Sequence, residues 1–396
     1  MLAERARRLT PSPTLVISAK ARAMRAHGID VLALSAGEPD FDTPEPIKAA
    51  AIRALREGKT KYTDAAGIPE VRAAVCQKLK RDQGLDYEPA DTIVSVGAKH
   101  TLYNICAVLL DPGDEAIVPS PYWVSYTEQI KLCDAQPVIV PTDPARGFQL
   151  DLEALRQAVT PRTKLLLLNT PNNPTGTVYG KRDLEGVAAL ALDRGFYVVS
   201  DECYESLAYE GRTPSIAALG PEIKARTLVV NTCSKAYAMT GWRIGFAAGP
   251  RDVIQAMADF QSQCTSNPTS IAMWAAVEAL AGPQDEVAKM VGEFDRRRRV
   301  IVEGLNRIPG IRCAMPQGAF YAFPDVSALF GRRWRGRAIE GSAQAAAFLL
   351  EAARVAVVPG ADFGADRHLR LSYACGLDTI HEGLARITSA CAELEG

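Results

Sequence analysis

A lysine at the end of an apolar strand is the residue whose type and place most clearly suggest chemistry here. Ser234-Lys235-Ala236-Tyr237 follows the run Thr227–Val230, and Gly241-Trp242-Arg243-Ile244-Gly245 comes shortly after. A buried amine is costly while charged. Once it loses its proton it becomes a nucleophile able to form a Schiff base with an aldehyde. Arg243 offers a planar fork suited to phosphate, and Ser234 a hydroxyl for the same anion. The plain alternative is a surface lysine in a loop and a structural arginine. Asp201, in Val199-Ser200-Asp201-Glu202-Cys203-Tyr204, follows the strand-like run Phe196–Val199. A carboxylate at the carboxyl end of a strand can keep a pyridine nitrogen protonated and strengthen the ring as an electron sink. Tyr204 could then reach a ring hydroxyl. An Asp capping the next helix is the competing explanation.

Three further segments stand at strand ends. Asn169-Thr170-Pro171-Asn172-Asn173-Pro174-Thr175-Gly176 follows Lys164–Leu168. Its prolines and glycine make a rigid turn, and its double Asn offers amides to a ligand oxygen. Val96-Gly97-Ala98-Lys99-His100 joins a strand to a helix, where small residues let backbone N–H groups approach an anion. It is not a G-x-x-x-x-G-K-[ST] loop, and no G-x-G-x-x-G follows any strand, so nucleotide binding loses its main support. Pro121-Tyr122-Trp123 supplies an aromatic face that could stack on a flat ring or pack in the core.

These segments need a scaffold, and the texture of the chain supplies one. Apolar runs at Thr92–Val96, Glu115–Val118, Pro137–Val140, Lys164–Leu168, Phe196–Val199, Thr227–Val230 and Ile244–Ala248 alternate with helical stretches such as Lys99–Leu110 and Lys181–Arg194. Several runs are apolar on both faces, as in a covered, mostly parallel sheet, so an open α/β fold is expected. After about residue 290 a long helical pattern, Val287–Leu305, leads into short strand-like pieces at Ala319–Phe323, Val355–Val358 and Leu369–Ser372. We expect a large domain at 46–290 and a smaller, discontinuous α+β domain made of 1–45 and 291–396. The run Arg296–Arg299 reads as the wet face of the long helix, and Arg332, Arg333, Trp334, Arg335 and Arg337 as a solvated loop.

Composition excludes other classes. The 396 residues include 45 Lys+Arg against 46 Asp+Glu, a net charge of −1, so no basic field is available for nucleic acid. Nine scattered cysteines without a C-x-x-C, and four histidines, argue against a disulfide scaffold or a zinc site and for a reducing compartment. No metal is expected. No apolar stretch reaches membrane-span length, and the N-terminal segment carries charges where a secretory signal needs an apolar core.

In order along the chain stand Gly37-Glu38-Pro39-Asp40-Phe41, Lys61-Tyr62, Gly97-Ala98-Lys99, Pro121-Tyr122-Trp123, Asn172-Asn173-Pro174-Thr175-Gly176, Asp201-Glu202-Cys203-Tyr204, Ser234-Lys235, Gly241-Trp242-Arg243-Ile244-Gly245 and Arg370-Leu371-Ser372-Tyr373. Taken together they resemble the class I and II pyridoxal-phosphate-dependent aminotransferases of fold type I. The likeness is strongest to the bacterial subgroup acting on aspartate and, often, prephenate. It implies a mostly parallel seven-stranded sheet in the large domain. It also implies pyridoxal 5'-phosphate bound covalently to Lys235, which then moves the substrate's α-proton. Asp201 would pair with the ring nitrogen, Asn173 and Tyr204 would bind the ring oxygen, and Trp123 would stack on the ring. Gly97, Ala98, Lys99, Ser234 and Arg243 would surround the phosphate, with Tyr62 reaching it from the neighbouring subunit of a cytoplasmic homodimer. Arg370, helped by the Gly37 backbone and Asn173, would grip the substrate's α-carboxylate, and Trp123 would also border the substrate.

For the substrate, the resemblance implies that Lys99 recognises a distal carboxylate, with Ser12 and Thr14 covering the same pocket. The expected reaction moves the amino group of aspartate or glutamate to a 2-oxo acid such as 2-oxoglutarate in a ping-pong cycle. The same chemistry on an aromatic amino acid, alanine, prephenate or a specialised intermediate is the alternative, followed by a lyase using the same cofactor. Thr10 stands where the subgroup carries Lys or Arg, a position tied to prephenate, which argues against that substrate. Pro13, His100, Cys203 and Asn267-Pro268 also depart from the usual pattern.

Overall fold

Seven strands, each carrying one of the apolar runs, form a single sheet in the computed structural model, which describes residues 2, 3, 7–9 and 13–395, without the side chains of 13–16 and 18. They are β1 (Thr92–Val96), β2 (Glu115–Ser120), β3 (Gln136–Pro141), β4 (Thr163–Asn169), β5 (Tyr197–Asp201), β6 (Thr227–Thr232) and β7 (Ile244–Ala248). Their spatial order is β1-β7-β6-β5-β4-β2-β3. Strand β7 runs antiparallel to both β1 and β6, and all other neighbours are parallel.

The continuous apolar character of β4 has a direct cause. Leu165 and Leu167 pack on one face of the sheet with Ile105 and Met257, while Leu166 and Leu168 pack on the other with Val187 and Leu190. Both faces are covered, so no position can be polar without a buried partner. Each fully buried leucine contributes about 1.5–3 kcal/mol relative to exposure.

A second, antiparallel sheet consists of β8 (Tyr321–Ala322), β9 (Val358–Pro359) and β10 (Leu369–Ser372), in the order β9-β10-β8. Two residues far earlier in the chain, Leu32–Ala33, pair in parallel with Val355–Ala356. Ser372 donates its backbone N–H to the Leu34 carbonyl at 2.7 Å, so the segment around Leu34 lies along β10. Leu34 joins the same buried cluster as Leu371, Ile380 and Phe294.

Two sequence expectations are corrected. The Arg332–Arg337 segment is not simply a solvated loop: Arg333–Trp334 pairs antiparallel with Arg337–Ala338, and Trp334 is buried against Phe348, 5.7 Å between ring centres. Within the helix Asp285–Asn306, Arg297 and Arg298 are 6% and 3% exposed and are not on a wet face. Arg297 pairs with Asp40 at 2.7 Å and Glu293 at 2.9 Å, and Arg298 with Asp295 at 2.6 Å. Buried guanidinium groups keep their charge only with such partners. Arg296 and Arg299 are the solvated members of the run.

Candidate active site

The sheet registers bring the chemistry-bearing strand ends together. On β4 and β5, Asn169 lies directly beside Asp201, and Asp201 lies beside Val230 of β6. The chain leaves β6 through Thr232 and reaches Ser234 and Lys235 just beyond it. Asp201 is buried at 5% exposure. Its Oδ2 accepts a hydrogen bond from the Tyr126 hydroxyl at 2.6 Å, and its Oδ1 accepts from the Cys203 backbone N–H at 3.1 Å. Burial raises its pKa above the ordinary carboxylate value, while these donors and the nearby Lys235 oppose that rise. The Asn169 side chain ties the strands further, donating to the Asp201 carbonyl at 3.0 Å and accepting from the Asn173 backbone at 2.7 Å.

Lys235 donates from Nζ to the Gly37 carbonyl at 2.6 Å. The same amine lies 5.6 Å from the centre of the Tyr204 ring. The Tyr204 hydroxyl meets that of Tyr321, on β8, at 2.9 Å. Arg370, on β10, is 2% exposed and donates to Asn173 Oδ1 at 3.0 Å and to the Ser35 carbonyl at 3.1 Å. Its guanidinium stands 4.4 Å from the Tyr321 ring centre and 5.0 Å from that of Phe363. Its Nε is buried with no partner among the described residues. A charged group held this deep, with a donor left over, is built to receive an anion.

A second anion-binding place lies where β1 turns into the helix Ala98–Leu109. Gly97 takes φ +82°, a conformation that favours glycine, and a Cβ there would fall 2.3 Å from an Arg243 guanidinium nitrogen. Gly245, on β7, passes so close beneath that its Cβ would meet the Ala98 nitrogen at 2.1 Å. Arg243 itself is left-handed at φ 58°, an uncommon and strained conformation outside glycine, and its side chain is steadied by the Thr240 carbonyl at 2.8 Å. The Ser234 hydroxyl sits 3.0 Å from that of Thr232. Small residues, first-turn N–H groups, a hydroxyl and a guanidinium thus converge. The Lys99 ammonium lies 4.9 Å from the Trp123 ring centre. Burial, Arg243 and Lys235, in that order, hold it below the ordinary lysine pKa.

All these groups line one cavity of about 430 Å³: Gly37, Ala98, Lys99, Trp123, Asn173, Asp201, Tyr204, Ser234, Lys235, Arg243 and Arg370. Gly97 stands at its edge through its contact with Arg243. Tyr62 is not among the lining residues and its side chain is 90% exposed. Ser12, the side chain of Thr14, and Thr10 lie outside the described residues. Among the lining residues that sequence reasoning did not single out, Tyr126, Tyr321 and Arg22 bear most on the chemistry. Tyr126, three residues after Trp123, stands edge-on to it with ring centres 5.4 Å apart. Its helical spacing from Trp123 was the available signal. Tyr321 and Arg22 carried none.

Residues 29–387 match the family model of aminotransferases of class I and II. The chain belongs to that family. An aspartate aminotransferase of Geobacillus stearothermophilus is 50% identical over 390 residues, with 98% of each chain covered. An aspartate/prephenate aminotransferase of Thermus thermophilus is 49% identical over 388 residues, with 97% of each covered. Among solved structures, the aspartate aminotransferase from Rhizobium meliloti matches with a TM-score of 0.96 at 45% identity over the whole of both chains. That of Thermus thermophilus with maleate matches with a TM-score of 0.92 at 47% identity, covering 98% of this chain and 99% of that one. The sheet and its helices are therefore those of fold type I. As an aminotransferase of class I and II, the protein moves an amino group between an amino acid and a 2-oxo acid.

Proposed function

We propose that this aminotransferase uses pyridoxal 5'-phosphate and takes its amino group from aspartate or glutamate, passing it to a 2-oxo acid such as 2-oxoglutarate. One observation carries the reading. Asp201 and Lys235 reach a common cavity from neighbouring strand ends, and the buried Arg370, with its Nε unpaired, lines the same cavity. The residues present fit the cofactor. The Gly97 cradle under Arg243, with Ser234 and the first N–H groups of the following helix, suits a phosphate dianion. Asp201 suits a protonated ring nitrogen, and Asn173 and Tyr204 suit a ring oxygen.

When bound, pyridoxal phosphate supplies an aldehyde for a lysine amine and a ring that draws electron density from the substrate's α-carbon. The protein's own groups then divide the work. Asp201 keeps a proton on the ring nitrogen. Arg370 binds the α-carboxylate as a fork and so fixes which bond to the α-carbon stands across the ring. The amine of Lys235 takes and returns the α-proton. Lys99 faces the distal carboxylate of an acidic substrate, and Trp123 covers the ring face. The donor leaves as a 2-oxo acid, and a second 2-oxo acid collects the amino group.

The same reading assigns a cofactor-binding domain to 46–290 and a smaller one to 1–45 with 291–396, supported by the pairing of Leu32–Ala33 with Val355–Ala356. It takes the enzyme as a cytoplasmic homodimer. The nine free cysteines support the location. The exposed Tyr62, free to extend toward a partner's phosphate site, supports the dimer.

The test has two parts. Protein saturated with the vitamer is reduced with borohydride, digested and weighed, and the peptide holding Lys235 should carry a pyridoxyl mass. An unmodified Lys235 overturns the cofactor assignment. The loaded protein is then mixed with single amino acids and the cofactor absorbance followed. A fast change with aspartate or glutamate, and a slow one with alanine or tyrosine, is expected. No change with either acidic amino acid removes the substrate assignment and leaves the cofactor standing.

A further inference from the structure

The charges around the cavity do not balance, and the surplus has a direction. Five cationic side chains line it, Arg22, Lys99, Lys235, Arg243 and Arg370, against two carboxylates, Glu38 and Asp201. Three of the five are engaged. Arg370 is pinned by Asn173 and Ser35, Arg243 lies on Gly97 with its Nη1 on the Thr240 carbonyl, and Lys235 is hydrogen-bonded to Gly37. Glu38 accepts from the Thr240 hydroxyl at 2.9 Å. Lys99 and Arg22 remain, and neither forms an ion pair among the described residues.

Arg22 comes from a different element than Lys99, which stands on the helix Ala98–Leu109. Arg22 stands on the helix Pro13–Ala26, where the neighbouring Ala21 is 1% exposed against Val31, Leu350 and Ala356. Arg25, one turn on, ties the helix end by donating to the Val31 carbonyl at 2.8 Å. The helix is thus seated while the Arg22 side chain stays exposed at the cavity. Burial, and after it Arg243 and Lys235, disfavour the charge of Lys99. A guanidinium keeps its charge regardless and can bind a carboxylate through two N–H groups.

We propose that Arg22 is a specificity-determining residue whose guanidinium, together with Lys99, binds the distal carboxylate of a dicarboxylic substrate. The inference rests on the acidic-substrate reading above. It goes beyond that reading by adding a second cation, presented by an N-terminal helix. Arg370 accounts for the α-carboxylate and Arg243 for the phosphate, so the two unpaired cations are those left for the second carboxylate.

The experiment uses the cofactor-loaded enzyme and two unreactive ligands, maleate and the monocarboxylate 3-phenylpropionate, titrated by calorimetry. The Arg22→Met variant keeps the stem of the side chain and loses its charge, and Arg22→Lys keeps a charge without the fork. Arg22→Met should raise the maleate Kd about tenfold, the lower end for a charged hydrogen bond because the site is solvent-screened. The 3-phenylpropionate Kd should stay within about twofold, and Arg22→Lys should fall between wild type and Arg22→Met. In the half-reaction, kcat/KM should fall for aspartate and not for alanine. A wild type that prefers maleate, with a variant that keeps the whole preference, overturns the role of Arg22 and leaves the acidic-substrate reading intact. Equal weakening of both ligands marks a structural effect and also overturns it. A wild type indifferent between the two ligands overturns the parent reading, and this inference with it.

Discussion

Replacing Tyr126 by Phe should weaken catalysis through a residue whose hydroxyl reaches the carboxylate of Asp201. The substitution removes one oxygen. The ring is 1% exposed and packed edge-on to Trp123, and Phe occupies the same volume, so the packing survives. What is lost is the 2.6 Å hydrogen bond to Asp201 Oδ2. A hydrogen bond to a charged group nets about 1.5–3 kcal/mol. Placed wholly on the ionised carboxylate, that amounts to a pKa rise of roughly one to two. Burial already pushes the Asp201 pKa up, and Tyr126 is one of the groups opposing it. The acid limb of the pH profile of kcat/KM should therefore move to higher pH by about one to two. On the acid limb itself kcat/KM at a given pH should fall about tenfold or more, with weaker cofactor retention and a smaller loss than in Asp201→Asn. Steady-state kinetics across pH, with cofactor affinity measured by fluorescence, check this. An unchanged acid limb together with an unchanged cofactor Kd would refute the reasoning, even if the melting temperature dropped, because the bond would then serve folding alone.

Two other outcomes are expected. Lys99→Met should lower kcat/KM for aspartate and glutamate by about tenfold while sparing alanine, as loss of a partly exposed carboxylate contact predicts; equal loss for all donors in the half-reaction would remove that role. Glu202 is fully buried and accepts hydrogen bonds from Ser200 and Ser215, both at 2.7 Å, and from Gln83. Burial raises its carboxyl pKa from 4.5 to about 7. The folded state therefore holds this proton more tightly than the unfolded chain. The associated stability is fully present below about pH 4.5 and is lost as pH rises to about 7, on the order of 3 kcal/mol. Glu202→Gln should flatten that decline in thermal melts between pH 5 and 8, and a variant with the same slope as wild type would contradict it.

The strands and most chemistry-bearing residues were legible because their signals are local. An unbroken run such as Leu165–Leu168 declares a strand covered on both faces, and Gly97, Asp201 and Lys235 each sit where such a run ends. Motif order carried the family, and the sheet has the seven strands the resemblance implied. Other features could not be read because they are made by contacts between distant parts of the chain. Tyr126 and Asp201 are 75 positions apart, and Arg370 and Ser35 are 335 apart. Nothing near Arg297 and Arg298 in sequence distinguishes them from the solvated Arg296 and Arg299; Asp40, brought in from the far end of the chain, completes a buried site for Arg297. The same holds for Lys78, fully buried in a helix and paired with Glu205. Apolar periodicity and turn chemistry are short-range and belong to the sequence itself. Which charge is buried, which donor is left over and which cation faces the cavity depend on strand register and packing, and these exist only once the chain has closed on itself.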